Sequence, residues 1–212
     1  FPLWLEEQGF GASEIAVILS APMFLRVVTT PFITAFADKA KDRVNVLVTL
    51  VVSSLLLSLG YFLPPTYLIV LAVSLVLAVV WTPQASIADS LALSGVRRYG
   101  SVYANMRIWG SISYFCMNFI GGVILAATGT GMVPVIITGG FVISLGAVLL
   151  APRIGRPRRA SPLSAAEISI SSAALRDRTF LFLMAGQGII IASHALLYGF
   201  ASIYWKSVGV GE

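Results

Sequence analysis

The sequence predicts an all-α polytopic membrane protein. Three observations carry that reading: an apolar excess, charge-free runs as long as a bilayer demands, and basic residues confined to alternate loops. Hydrophobic residues make up 58% of the 212 positions and charged residues 11%, with a mean hydropathy of +0.92. Soluble domains lie near roughly 45–50% and 25%. The formal charge of +5 is spread along the chain and not gathered in an aromatic-interleaved patch, which argues against a nucleic-acid partner. The one cysteine, Cys116, excludes a disulfide framework within the chain and a cysteine-based metal site, and no cofactor is implied. The chain begins at Phe1 and stops at Glu212 just beyond an apolar run, so it reads as a fragment of a larger membrane protein with no signal peptide.

A helix needs about 20 apolar residues to cross the hydrocarbon core, so charge-free runs serve as the ruler. Phe1 to Leu5 reads as the stub of a first span. Glu14 to Ala37 is a second, interrupted only by Arg26. Val44 to Ala88 is long enough for two more, broken at Leu63-Pro64-Pro65, and Ile108 to Pro152 for another two, broken at Thr128-Gly129-Thr130-Gly131. Thr179 to Trp205 is a seventh, whose one titratable group is His194.

Lysine and arginine accumulate on the cytoplasmic side of short loops. Here they cluster at Lys39, Lys41 and Arg43, at Arg97 and Arg98, and from Arg153 to Arg178. The intervening loops, Glu6 to Ser13, Leu63 to Tyr67 and Thr128 to Met132, hold none. The basic loops are therefore expected inside, with Trp4, Tyr61, Tyr67 and Trp205 near the outer interface. Residues 1–152 form a transmembrane bundle on this reading, 153–178 a basic cytoplasmic linker, and 179–212 the start of a second bundle. Six spans, a basic linker and a further span is the layout of a protein built from two six-helix halves.

Charges inside the spans cost roughly 2.5–3.5 kcal/mol each on insertion scales, so each calls for a partner or a watery cavity. With the turn between helices 4 and 5 placed at Arg97-Arg98, Asp89 lies nine residues before it and Arg107 nine after. At 1.5 Å per residue both sit about 13 Å from the turn, at one depth on antiparallel helices. That predicts an ion pair, direct or through a bound solute. It could equally lock helix 4 to helix 5, and Arg107 could instead snorkel to the headgroups. Ser111 and Tyr114 share the face of Arg107, and Pro83 lets helix 4 bend two turns before Asp89. Arg26 lies twelve residues before Asp38, about 18 Å from the cytoplasmic edge, with no acidic partner at that depth in the visible spans. On helix 7, Gln187, His194 and Tyr198 share one face, either as a polar seam between helices or as a proton relay and solute contact. No metal-ligand cluster, paired carboxylates or nucleophile–base set accompanies them, which argues against an enzyme.

The stretch from Ala35 to Arg43, "AFADKAKDR", would in isolation be a solvated loop. Together with the six-plus-six layout and the arginine of helix 5, it resembles the major facilitator superfamily. "YANMRIWGSISY" (Tyr103 to Tyr114) and "HALLYGFASIYW" (His194 to Trp205) resemble the bacterial 3-phenylpropionic acid transporter group, itself similar to the lactose permease branch. Thr34 and Lys41 stand where the superfamily loop usually has glycine, and Ala104 where this group has one. The resemblance covers the whole chain and implies that most of helix 1 and about five C-terminal helices are missing. It also implies an acidic residue on helix 4, an arginine and an aromatic on helix 5 as solute contacts, matching Asp89, Arg107 and Tyr114. Asp38 and Arg43 fall on its gating loop.

The expected function is a proton-coupled symporter of the bacterial inner membrane that takes a small organic solute. Arg26 and Arg107 outnumber Asp89 among the buried charges, which favours an anion such as an aromatic carboxylate. A sugar or nucleoside symporter is the alternative, and a receptor or assembly factor that keeps the fold is the reading outside transport. Partners are then a small solute, a proton and the lipid bilayer, with oligomeric state unread.

Overall fold

A computed structural model describes residues 1–100, 102–153 and 177–209. The segment expected to be a linker lies almost wholly outside them. The chain divides into two compact units, Phe1–Pro157 and Arg158–Gly211.

The first unit holds six helices: α1 (Pro2–Glu7), α2 (Ala12–Lys39), α3 (Arg43–Ser58), α4 (Tyr67–Tyr99), α5 (Tyr103–Thr128) and α6 (Val133–Leu149). With the 3₁₀ turns Leu59–Phe62 and Thr130–Met132 that extend α3 and precede α6, five of them are long and apolar enough to cross a membrane. The breaks fall where the backbone chemistry demands them. Asp42 caps α3 by accepting from the Val44 N–H at 3.0 Å, so only Ala40, Lys41 and Asp42 separate α2 from α3. Gly129, at φ +80°, ends α5 by donating its N–H to Leu125 at 2.8 Å. Glu14 accepts from the Gly11 N–H at 2.9 Å and starts α2.

α4 is the central post: α2 and α3 both pack along it, and α6 packs on α3. The core joins Ala37 of α2, Leu47, Leu50 and Val51 of α3, and Ile87 of α4. Buried hydroxyls and one amide stitch the seams. Gln84 Nε2 of α4 donates to Ser54 Oγ of α3 at 2.7 Å, and Ser58 Oγ meets Thr138 Oγ1 of α6 at 3.0 Å. Such bonds replace the hydrophobic drive that helix pairs lack in lipid. α5 touches the rest of the unit only weakly, along α4 and at the Thr130–Met132 turn, and none of its residues is buried.

The ends of the bundle are sorted by charge. Arg153, just past α6, donates to Asn45 Oδ1 at the start of α3 at 2.9 Å, which brings two of the basic segments together. At the opposite end the Glu7 carboxylate accepts from the Thr130 hydroxyl. Trp4 and Tyr61 differ from the expectation of interfacial anchors. Trp4 stacks on Phe1 and meets Tyr61 edge-on, and the Tyr61 hydroxyl finds Ser74 Oγ at 2.9 Å, so both rings are core. A polar tip satisfied inside the bundle needs no headgroup. The second unit contributes α7 (Arg178–Ser207), described here by itself.

Candidate functional site

Two clusters of polar side chains stand out in the first unit, and they meet at neighbouring residues of α4. The first lies at the basic end. Arg43 is the first residue of α3, placed there by the Asp42 cap, and its guanidinium reaches both neighbouring helices. Nη2 pairs with Asp38 Oδ1 of α2 at 2.7 Å, and Nη1 donates to Ser90 Oγ of α4 at 2.5 Å. The Arg43 side chain is only 11% exposed, against 62% for Asp38. The pair therefore opens to solvent on its acidic side and ties three helices on its basic side. Beneath it is a cavity of about 340 Å³ walled by Thr30, Pro31 and Thr34 of α2 and Ser86, Ile87 and Ser90 of α4. Pro31 cannot donate to the carbonyl four residues before it, which opens α2 at this wall. Arg43 Nε and Thr30 Oγ1 are buried there without a protein partner, the chemistry of a wet cleft and not of a packed seam. Asp38 and Arg43 were legible in the sequence; Ser90 was not.

The second cluster surrounds Asp89, which is exposed on α4. Its Oδ1 accepts a hydrogen bond from the Tyr103 hydroxyl at 3.1 Å, and Tyr103 is the first residue of α5. Asp89 and Arg107 make no direct ion pair, the direct form of the expected pairing, whereas Asp38 and Arg43 do. The reason is the position of the turn. α4 runs past Arg97 and Arg98 to Tyr99 and is closed by Gly100 in the left-handed region at φ +68°. Asp89 thus stands ten residues from the end of α4, whereas Arg107 stands four from the start of α5. At 1.5 Å per residue these are about 15 Å and about 6 Å along their helices. The carboxylate is instead engaged by the hydroxyl of Tyr103.

Arg107, Ser111 and Tyr114 do share one exposed face of α5, with Tyr114 67% exposed. The Arg107 guanidinium lies back along its own helix over Gly110, where a Cβ would stand 2.8 Å from Nη1. Arg26 is exposed on α2 between the exposed Phe24, Val27 and Val28. On α7, Gln187 and His194 are exposed, while the Tyr198 side chain lies outside the described residues. His194 Nδ1 is 2.8 Å from the Ile190 carbonyl four residues before it. The same nitrogen lies 3.3 Å from the Ser193 hydroxyl.

The MFS_1 like family model matches residues 1–212. Among curated proteins, the chain is 22% identical over 207 residues to the "Probable 3-phenylpropionic acid transporter" of Escherichia coli (strain K12), covering 98% of this chain and 54% of that protein. It is 27% identical over 109 residues to the "Maltose permease" of Geobacillus stearothermophilus, covering 51% of this chain and 28% of that protein. The chain spans about half the length of the first relative and less of the second. No solved structure matches at a significant level. The motifs of α2, α5 and α7, the long apolar helices and a family match that runs from end to end agree: the chain belongs to the MFS_1 like family, a multi-pass membrane protein of the major facilitator superfamily.

Proposed function

We propose that the chain is part of a proton-coupled secondary transporter of the bacterial inner membrane, and that its solute is a small aromatic carboxylate such as 3-phenylpropionate. The observation that carries this reading is the face of α5. Arg107, Ser111 and Tyr114 lie along a helix with no buried residue, so a guanidinium inside an apolar span points away from the helices of its own unit. Facing lipid about 6 Å from the head of α5, it would snorkel to the headgroups and bind no solute. Facing a water-filled cavity closed by further helices, it serves as an anion contact. Arg26 adds a second cation, while Asp89 is the acid on the neighbouring helix. The binding cavity then lies between two halves that rock about it, with the basic segments on the cytoplasmic side. Asp38 and Arg43 act in the gating loop. His194 is the candidate for the proton, with Gln187 and Tyr198 at positions that share its face of α7 by helical spacing.

Similarity to a maltose permease over half the chain favours a second reading, a neutral sugar as solute. The two separate by uptake into liposomes bearing the full-length protein under an imposed proton gradient. Accumulation of labelled 3-phenylpropionate is expected, and accumulation of maltose without it assigns the sugar instead. Arg107→Ala is expected to abolish uptake while leaving membrane insertion intact. Uptake at the parent rate would reduce Arg107 to a packing residue.

A further inference from the structure

Asp89 and Ser90 are consecutive residues of α4, and each is held by a different element. Ser90 is held by Arg43, which is itself anchored on Asp38, so the α4 backbone at this level is tied to α2 and α3. Asp89 is exposed, and its side-chain bond is the one from the Tyr103 hydroxyl across the α4–α5 turn. The backbone beneath Asp89 is thus fixed from one side while its carboxylate is oriented from the other. Tyr103 suits that role: it is half-buried at the head of α5, and its phenol is the donor a carboxylate needs. An exposed carboxylate without such a donor rotates freely about χ1 and χ2, and a solute that needs it in one orientation would have to stop that rotation on binding.

We propose that Tyr103 is a positioning residue that holds the Asp89 carboxylate, through its hydroxyl, in the orientation a solute meets. This rests on the reading of Asp89 as a solute contact, and the test separates the two claims. It uses the full-length protein and the variants Tyr103→Phe, Asp89→Asn and the double variant, with monodispersity on gel filtration as the folding control. The first measurement needs no solute. The rate at which a carbodiimide modifies Asp89, followed by mass spectrometry, is expected to rise about threefold or more in Tyr103→Phe, because the phenol no longer occupies Oδ1. An unchanged rate overturns the proposal. The second measurement is the kinetics of uptake of 3-phenylpropionate and of maltose. Tyr103→Phe is expected to raise KM about five- to tenfold at unchanged kcat, the scale of one ordinary hydrogen bond at an exposed site. In the Asp89→Asn background it should change nothing further. If Asp89→Asn impairs uptake while Tyr103→Phe leaves KM as it was, the positioning role is wrong and the solute contact stands. If Asp89→Asn leaves uptake at the parent level, Asp89 is no solute contact, and both claims fall.

Discussion

At Gly110 α5 gives up a side chain, and the Arg107 guanidinium lies over the space that is left. Alanine there would meet Nη1 at 2.8 Å, but Nη1 is the far end of a flexible side chain and can swing away. Replacing glycine by alanine inside a helix favours the helix by about 0.8–1 kcal/mol. Gly110→Ala is therefore expected to leave the thermal midpoint of the full-length protein unchanged or raised, while uptake loses apparent affinity because the guanidinium has moved. A thermal-shift assay beside uptake kinetics checks both halves, and an unchanged KM would detach Arg107 from the solute. The face that Arg107 shares with Ser111 and Tyr114 was legible in the sequence, since a period of 3.6 fixes it whatever the tertiary packing. The partner of Asp89 was not, because it depended on where a turn falls.

That turn belongs to the scale of elements. Arg97 and Arg98 were read as the loop between α4 and α5, yet they form the last turn of α4, where cations favour the helix C-terminus. Gly100, one residue beyond them, carried the signal: basic residues followed by a glycine able to take positive φ mark a helix end, not a loop centre. The breaks at Leu63-Pro64-Pro65 and Thr128-Gly129-Thr130-Gly131 were legible because proline or paired glycine leaves little choice. The Arg43–Ser90 bond spans 47 positions and depends on how α3 packs against α4, which no local pattern encodes. Where α3 runs into its terminal 3₁₀ turn, Gly60 approaches α4 so closely that a Cβ would stand 2.6 Å from Val73 Cγ2. Valine is stiff about χ1 and cannot yield as a long side chain would. Gly60→Ala is expected to destabilise the protein by about 1–3 kcal/mol, the usual cost of overpacking. A lowered thermal midpoint in detergent is the check; an unaltered one would mean that the two helices part at little cost.

For the whole molecule, the main fact is how little of α5 the first unit covers. Ile108, Trp109, Phe115 and Phe119 lie exposed along it, and Phe24, Val27, Phe32 and Phe36 along α2. Spans buried this sparsely need lipid or further protein beside them. Residues 1–212 expressed alone are expected to unfold at a lower temperature than the full-length protein and to lose monodispersity in mild detergent. Equal midpoints would show that these faces rest against lipid. The orientation has its own test. A cysteine replacing Lys41 in a Cys116→Ser background should react with an impermeant maleimide only in inside-out vesicles. The five spans of the first unit were legible in the charge-free runs, since apolar length is what a bilayer reads. The clusters on α4 needed three-dimensional packing. Side chains one residue apart on a helix diverge by about 100°, so the bonds at Asp89 and Ser90 act as two stays on a mast, pulling from different quarters at one height. Rolling α4 by ~10° about its axis carries an atom ~6 Å out through ~1 Å, enough to part a hydrogen bond. Torsion of one helix, more than its tilt, is what this pair of bonds resists.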